Sequence, residues 1–229
     1  MSKRNKIALI SLIMAVLAAV IGVLLWHDQQ YNLIIMILVV ISWIPFYFKY
    51  ELSHPKTREV VILAIMIALT TLARTLFILF PSFKPISALI IIMAVVFGKQ
   101  DGFLCGSLSA LISDFIFGIG PWTPFQMLTW GLIGYLAGLF CRQLYQNKWL
   151  LYGYGAMSGI IFSMIMDLWS VLAIDNSFNL SRYLFTVIAA LPVTITYIVS
   201  NIIFIFVFKD AMFKILQRVK VKYGITEGN

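Results

Sequence analysis

The fold of this chain is decided by a stretch that reads ISALIIIMAVVF, GKQDG and FLCGSLSALISDFIF from Ile86 to Phe117. The two outer pieces are apolar runs that predict membrane helices, and the middle piece, bounded by Gly98 and Gly102, predicts a tight turn. Each run is shorter than the roughly 20 residues that a straight helix needs to cross a bilayer. A short membrane helix is tolerated where protein or a water-filled cavity receives its end. The neighbouring Pro- and Gly-rich loops predict that this cavity faces outward.

The composition of the whole chain agrees with a membrane protein. Of the 229 residues, 62% are hydrophobic and 11% are charged, and the mean hydropathy is +0.97. A soluble fold of this length would need far more polar surface, so we expect an all-α integral membrane protein. The net charge of +8 reflects the loops of such a protein and does not indicate nucleic-acid binding.

The apolar runs predict eight membrane spans. They are Ile7–Trp26, Leu33–Tyr50, Val60–Phe80, Ile86–Phe97, Phe103–Phe117, Phe125–Leu144, Trp149–Ala173 and Tyr183–Phe208. The first run is too long for the h-region of a usual signal peptide, which is roughly 7–15 residues. We therefore interpret it as a helix.

Positive charges orient these spans. Fourteen Lys and Arg residues fall in the loops on one side, two (Lys84 and Arg182) fall on the other side, and Arg74 lies within a span. Because basic loops stay in the cytoplasm, both termini are predicted to be cytoplasmic. We predict three parts: a two-helix extension at 1–57, a six-helix core at 58–208 and a basic tail at 209–229. The tail is either a short helix on the inner leaflet or a simple charged end.

Three ionisable residues lie inside predicted spans, where a charge is costly and usually functional. Arg74, Asp114 and Asp167 all fall in the outer half of the membrane on this topology. Arg74 is expected to pair with one of the two aspartates, and the spacing leaves open which one. The pair can join helices, line a binding site, or do both.

Aromatic residues lie at the same level. Trp122, Gln126, Trp130 and Trp169 surround the start of the sixth span and the end of the seventh. Gln126 and Trp130 are four residues apart and share one helix face. Aromatic walls with a few polar groups are typical of a site for a flat organic molecule. The alternative for Trp122 and Trp169 is an interfacial aromatic belt.

Several classes of function are excluded or weakened by missing motifs. The chain has no P-loop, no His-Glu-x-x-His and no Cys/His cluster, so we predict no catalytic residues, no metal and no cofactor. An intramembrane aspartyl protease formed by the two aspartates is a weak alternative. Cys105 and Cys141 are expected to be separate thiols. Small residues at four-residue spacing, such as Gly102 and Gly106, predict close packing of the protein's own helices.

Residues 58–208 resemble the S components of energy-coupling factor (ECF) vitamin transporters. The resemblance is carried by AIMIALTTLAR from Ala64 to Arg74, by the FGKQDG turn, and by GPWTPFQM from Gly120 to Met127. It implies a subunit that captures a vitamin from outside and topples in the membrane. The implied partners are a membrane coupling subunit and two cytoplasmic ATPases.

The resemblance also assigns roles to residues. Ala64 and Ala68 are expected to contact the coupling subunit. Pro81, Lys84 and Pro85 belong to an outer loop that is expected to act as a lid. The substrate-binding positions that it implies include Trp122, Gln126, Trp130 and Asp167.

The most similar type of S component is the cobalamin-specific one, so cobalamin is the expected transported substrate, with queuosine-type precursors and other vitamins as alternatives. A proton- or sodium-coupled secondary transporter that uses Asp114 or Asp167 is the competing function. A structural or signalling membrane subunit without a ligand is the third.

Overall fold

The helix at Ile86–Phe97 forms the centre of the protein. All twelve of its residues are buried in the computed structural model, which describes residues 31–52 and 55–225. A helix that is apolar on every side can be buried on every side, which explains why this run carries no polar face. The helix begins and ends at the predicted residues.

Within the described ranges the chain forms nine helices and no strand, which confirms the all-α class. They are α1 (Tyr31–Glu51), α2 (Thr57–Leu76), α3 (Ile86–Phe97), α4 (Lys99–Phe117), α5 (Thr123–Leu139), α6 (Cys141–Gln146), α7 (Lys148–Asp175), α8 (Leu180–Ala189) and α9 (Leu191–Tyr223). Helices α4, α5 and α9 pack around α3, and α7 packs against α9.

Glycine allows α4 and α5 to approach each other closely. A Cβ atom on Gly106 would overlap the backbone of Trp130, and one on Gly134 would overlap the carbonyl of Gly102. Small residues at such crossings let helix backbones touch. The predicted role of these glycines in packing the protein's own helices is confirmed.

The turn between the two decisive runs is shorter than predicted. Only Gly98, at a φ of 102°, interrupts the helices, and α4 already begins at Lys99. Helix α4 therefore has 19 residues and spans about 28 Å, so the prediction of a short fifth span was wrong. Helix α3, with 12 residues, is about 18 Å long and too short to cross the bilayer alone.

The eighth predicted span is divided. A short helix, α8, ends at Ala189, and α9 then runs for 33 residues with Pro192 in its first turn. Proline in the first turn of a helix costs little because its missing N–H has no intrahelical partner there. At about 50 Å, α9 also includes the basic segment 209–222, so the predicted separate surface helix is wrong.

The sixth predicted span is also divided, because α5 ends at Leu139 and the short α6 follows Phe140. The seventh span agrees with α7 within two residues at each end.

The part that precedes the core is described from Tyr31 onward, so the predicted first span lies outside the described residues. Helix α1 matches the second predicted span and packs on α4 and α5. The Phe46 ring stacks on Phe103 with 3.9 Å between centroids, and the Tyr47 and Ser107 hydroxyls lie 3.0 Å apart. Aromatic stacking adds to apolar burial, so α1 is held firmly against the core.

Three of the described helices, α2, α7 and α9, are long and apolar enough to cross a membrane alone. Together with the shorter apolar helices around them, they form a multi-pass bundle.

Candidate functional site

Arg74 is the centre of a buried polar cluster near the end of α2. Its guanidinium donates to Asp114 Oδ1 at 2.9 Å and to Gln126 Oε1 at 3.1 Å, and it also bonds the Ser113 hydroxyl. The side chains of Arg74 and Asp114 are 7% and 1% exposed. A buried charge is tolerated when it is paired and hydrogen-bonded. The partner that the sequence left open is therefore Asp114.

The second carboxylate oxygen of Asp114 is also engaged. Oδ2 accepts a hydrogen bond of 2.8 Å from the Thr123 hydroxyl, whose oxygen accepts from the Gly120 backbone N–H at 3.2 Å. This network ties the end of α4 to the start of α5. Asp114 thus holds the Arg74 guanidinium in position, and both of its carboxylate oxygens accept hydrogen bonds.

Aromatic rings surround the guanidinium. The Arg74 side chain lies 4.7 Å from the Trp130 ring centroid and 4.5 Å from that of Phe117. Trp130 stacks on Phe162 at 4.4 Å, and its indole N–H donates to the Ser87 hydroxyl at 3.2 Å. Cation–π contacts of this kind hold both the cation and the rings in place.

A cavity of about 60 Å³ opens beside this cluster, at the end of the bundle that is predicted to face outward. Helices α2, α3, α5, α7 and α9 and the loop after α2 all contribute to it. Its lining residues are Arg74, Ser82, Lys84, Ile86, Ser87, Gln126, Trp130, Phe162, Tyr197 and Asn201. Aromatic walls with a few convergent polar groups are typical of a site for an organic ligand.

The loop that is predicted to be a lid contributes Lys84 to the cavity. The Lys84 ammonium lies 4.2 Å from the Phe117 ring centroid, and its backbone carbonyl accepts from the Ser200 hydroxyl at 3.1 Å. Next to it, Phe83 packs against Phe77 and Phe204. The pKa of Lys84 is lowered, first by burial and then by the charge of Arg74. Movement of the loop as a lid stays a prediction.

Three of the predicted substrate-binding residues lie outside the described lining of this cavity. Trp122 precedes α5 and is 38% exposed, and Trp169 packs on Phe125 with 4.9 Å between centroids. Asp167 lies on α7 and is not the salt-bridge partner of Arg74, and among the described residues its Oδ2 has no hydrogen-bond partner. The structure thus brings Arg74, Asp114, Gln126 and Trp130 together, and the role of the other three stays a prediction.

Sequence reasoning missed six of the ten residues that line the cavity, namely Ser82, Ile86 and four others. Ser87, Phe162, Tyr197 and Asn201 line it from three different helices. Asn201, whose amide donates to the Gly155 carbonyl at 3.1 Å and to Ser158 Oγ at 3.0 Å, could have been found as a polar residue inside an apolar run. The aromatic and serine residues carry no such signal.

The predicted coupling face lies on the opposite side of α2 from the packed core. Ala64 and Ala68 are exposed, as are Ile65, Leu69 and Leu72 beside them. Among the described residues, no group of three or more His, Cys, Asp or Glu side chains is placed to hold a metal ion.

Comparison with protein families gives a match over most of the chain. A family model described as "ECF-type riboflavin transporter, S component" matches residues 54–218, which is more than two thirds of the chain. No curated protein and no solved structure matches significantly. The matched segment contains every residue that lines the cavity and excludes nearly all of the N-terminal extension.

Proposed function

The chain belongs to the family of ECF-type riboflavin transporter S components, and we propose that it captures a flat vitamin-class solute in the Arg74 cavity and delivers it to a coupling subunit. S components are substrate-binding membrane subunits and not enzymes, so the protein is a multi-pass subunit of an ECF transporter in the cell membrane.

The observation that carries the proposal is the cavity itself. It lies within the matched segment, at the end of the bundle predicted to face outward, and its walls combine stacked aromatic rings with the buried Arg74 cation. Pre-arranged polar groups in an apolar pocket give orientation and specificity to a bound ring. The ring of such a solute would lie against Trp130 and Phe162.

The volume of the cavity bears on the size of the proposed substrate. The cobalamin expected from the sequence has no support from the matched family, whose description names riboflavin. The cavity of about 60 Å³ is smaller than any vitamin, so we propose that the loop that carries Lys84 moves when the substrate binds. A molecule of one to three rings needs much less movement than a corrin, so we propose a substrate of riboflavin's size or smaller.

The proposed partners are a membrane coupling subunit and two cytoplasmic ATPases, as for other ECF transporters. The exposed small residues Ala64 and Ala68 on α2 support this, because they leave room for a partner helix to approach the backbone closely. The same face is apolar over two turns, and Lys56 and Arg58 precede it at the end of α2 that is predicted to be cytoplasmic.

We predict that Ala68→Trp breaks the complex without unfolding the subunit. The indole would project from an exposed position into the space of the partner helix, since Ala68 contacts little of its own chain. The tagged protein is purified in mild detergent from its native cells, and its co-purifying proteins are identified by mass spectrometry. The unsubstituted chain should retain one further membrane protein and P-loop ATPases. In the variant, the amount of these co-purifying proteins should fall about tenfold or more.

Ala189→Trp serves as the matched control, because Ala189 is an exposed alanine at the end of α8. This control should retain the full complex. Absence of ATPases from the unsubstituted preparation, or an equal loss from both variants, would contradict the proposal.

The competing function, a proton- or sodium-coupled transporter, is weakened by the site geometry. Both carboxylate oxygens of Asp114 accept hydrogen bonds, Oδ1 from Arg74 and Oδ2 from Thr123, so both are already engaged within the protein. Of the two intramembrane aspartates, only Asp167 is then left to carry a proton or bind sodium in a coupled transporter.

A further inference from the structure

The cavity is lined by two cations. The Arg74 guanidinium and the Lys84 ammonium both lie within 4.5 Å of the Phe117 ring centroid, and both side chains contribute to the lining. They come from different elements, the end of α2 and the loop before α3. Two like charges beside one apolar cavity repel each other and are costly to bury.

Asp114, the carboxylate that contacts this cluster directly, compensates only one of the two cations. Asp114 pairs with Arg74 through Oδ1, and its Oδ2 accepts from Thr123. Among the described residues, Lys84 forms no salt bridge, and the charged neighbour that acts on it is Arg74, another cation. Arg74, Lys84 and Asp114 together carry one excess positive charge. Asp167 on α7 acts electrostatically on the lining residue Tyr197, but it lies outside the lining and forms no salt bridge with either cation.

We propose that the substrate carries an anionic group, a carboxylate or a phosphate, on a flat ring, and that Lys84 binds this group at the mouth of the cavity. The ring would lie against Trp130 and Phe162 while the anion meets Lys84 and the adjacent Arg74 N–H groups. Hydrogen bonds between ionised partners are shorter and about twice as strong as neutral ones. This inference rests on the proposed function and narrows its substrate class, since riboflavin itself is neutral.

The surroundings of Lys84 support this role over that of an interfacial lysine that reaches for water. Its ammonium lies over the Phe117 ring, and its side chain is half-buried. The lowered pKa of Lys84, caused first by burial and then by Arg74, means that its surroundings in the folded protein disfavour the charge. A bound anion would offset that cost.

Lys84 can be changed without disturbing the loop. The loop is anchored by the Lys84 backbone carbonyl, which accepts from Ser200, and by the neighbouring Phe83 ring. Neither contact uses the ammonium. Lys84→Gln therefore removes the charge and keeps the geometry.

The test compares two pairs of ligands that differ in charge on the same ring: nicotinate with nicotinamide, and flavin mononucleotide with riboflavin. Binding to the purified full chain is measured by tryptophan fluorescence and by thermal shift. We expect the anion of at least one pair to bind about tenfold or more tightly than its neutral partner. The nicotinate pair reports a carboxylate, and the flavin pair reports a phosphate.

Lys84→Gln should reduce this preference to about threefold or less, because it weakens binding of the anion more than binding of its neutral partner. Lys148→Gln is the matched control, because Lys148 also lies over an aromatic ring, that of Trp149, at 5.5 Å. It should keep the full preference.

Equal or tighter binding of both neutral ligands would overturn the inference, as would an anion preference that survives in Lys84→Gln or the binding of none of the four. Co-purification of the coupling subunit and ATPases needs no ligand. It therefore decides the proposed function independently of this outcome.

Discussion

Replacement of Arg74 by methionine is expected to abolish ligand binding and to destabilise the protein by about 3–5 kcal/mol. The substitution leaves Asp114 as a buried carboxylate without its cation, and it removes the donor that faces the cavity. Unfolding in detergent measures the first effect, and ligand titration of the folded fraction measures the second.

The double variant Arg74→Met with Asp114→Asn separates these two effects. Because it removes both charges together, it should recover much of the stability, while binding stays lost. Arg182→Met is the matched control for stability. Arg182 pairs with Asp175 at 2.6 Å, but its side chain is 49% exposed, so its loss should cost no more than about 1 kcal/mol. Full ligand affinity in the double variant would show that Arg74 does not contact the ligand.

Trp130→Ala is expected to weaken ligand binding by about tenfold to a hundredfold. Its ring forms one wall of the cavity and lies between Arg74 and Phe162. Trp130 is only 3% exposed, so the alanine variant also leaves a void, which in protein cores costs about 3–5 kcal/mol. The measurement is therefore the dissociation constant of the folded fraction.

Trp130→Phe distinguishes stacking from packing. It keeps an aromatic ring against Phe162 but removes the N–H that donates to Ser87, so its affinity should fall between those of the wild type and the alanine variant. Trp149→Ala is the control, since Trp149 is 72% exposed at the opposite end of α7. Its affinity should match the wild type. An unchanged affinity in Trp130→Ala would assign Trp130 to packing alone.

Part of the candidate site could be predicted from the sequence, because a charged residue inside an apolar run has a high free-energy cost and therefore usually has a function. Arg74 and Asp114 are conspicuous for that reason, and Gln126 and Trp130 follow from the spacing on one helix face. The structure brings these four together. Phe162 and Tyr197 are ordinary aromatic residues of membrane helices, and only the crossing of α7 and α9 places them in the cavity.

Some helix boundaries could likewise be predicted from the sequence, and others could not. The run at Ile86–Phe97 was predictable residue by residue, because this fully buried helix is apolar at every position except Ser87 and is followed by a glycine with a positive φ. Proline residues did not show where helices end. Pro45 lies inside the continuous α1, whereas Pro192 marks a new helix after Ala190. The tertiary setting decides between a tolerated interruption and a new start.

ATP-dependent uptake into proteoliposomes tests the central claim most directly. The chain is reconstituted with the coupling subunit and ATPases that co-purify with it, and with the radiolabelled ligand that binds best in the titrations. Uptake should require ATP and all of these subunits, should persist when proton and sodium gradients are dissipated, and should be lost in Arg74→Met with Asp114→Asn. Accumulation of the ligand by the chain alone, driven by a proton or sodium gradient, would contradict the account.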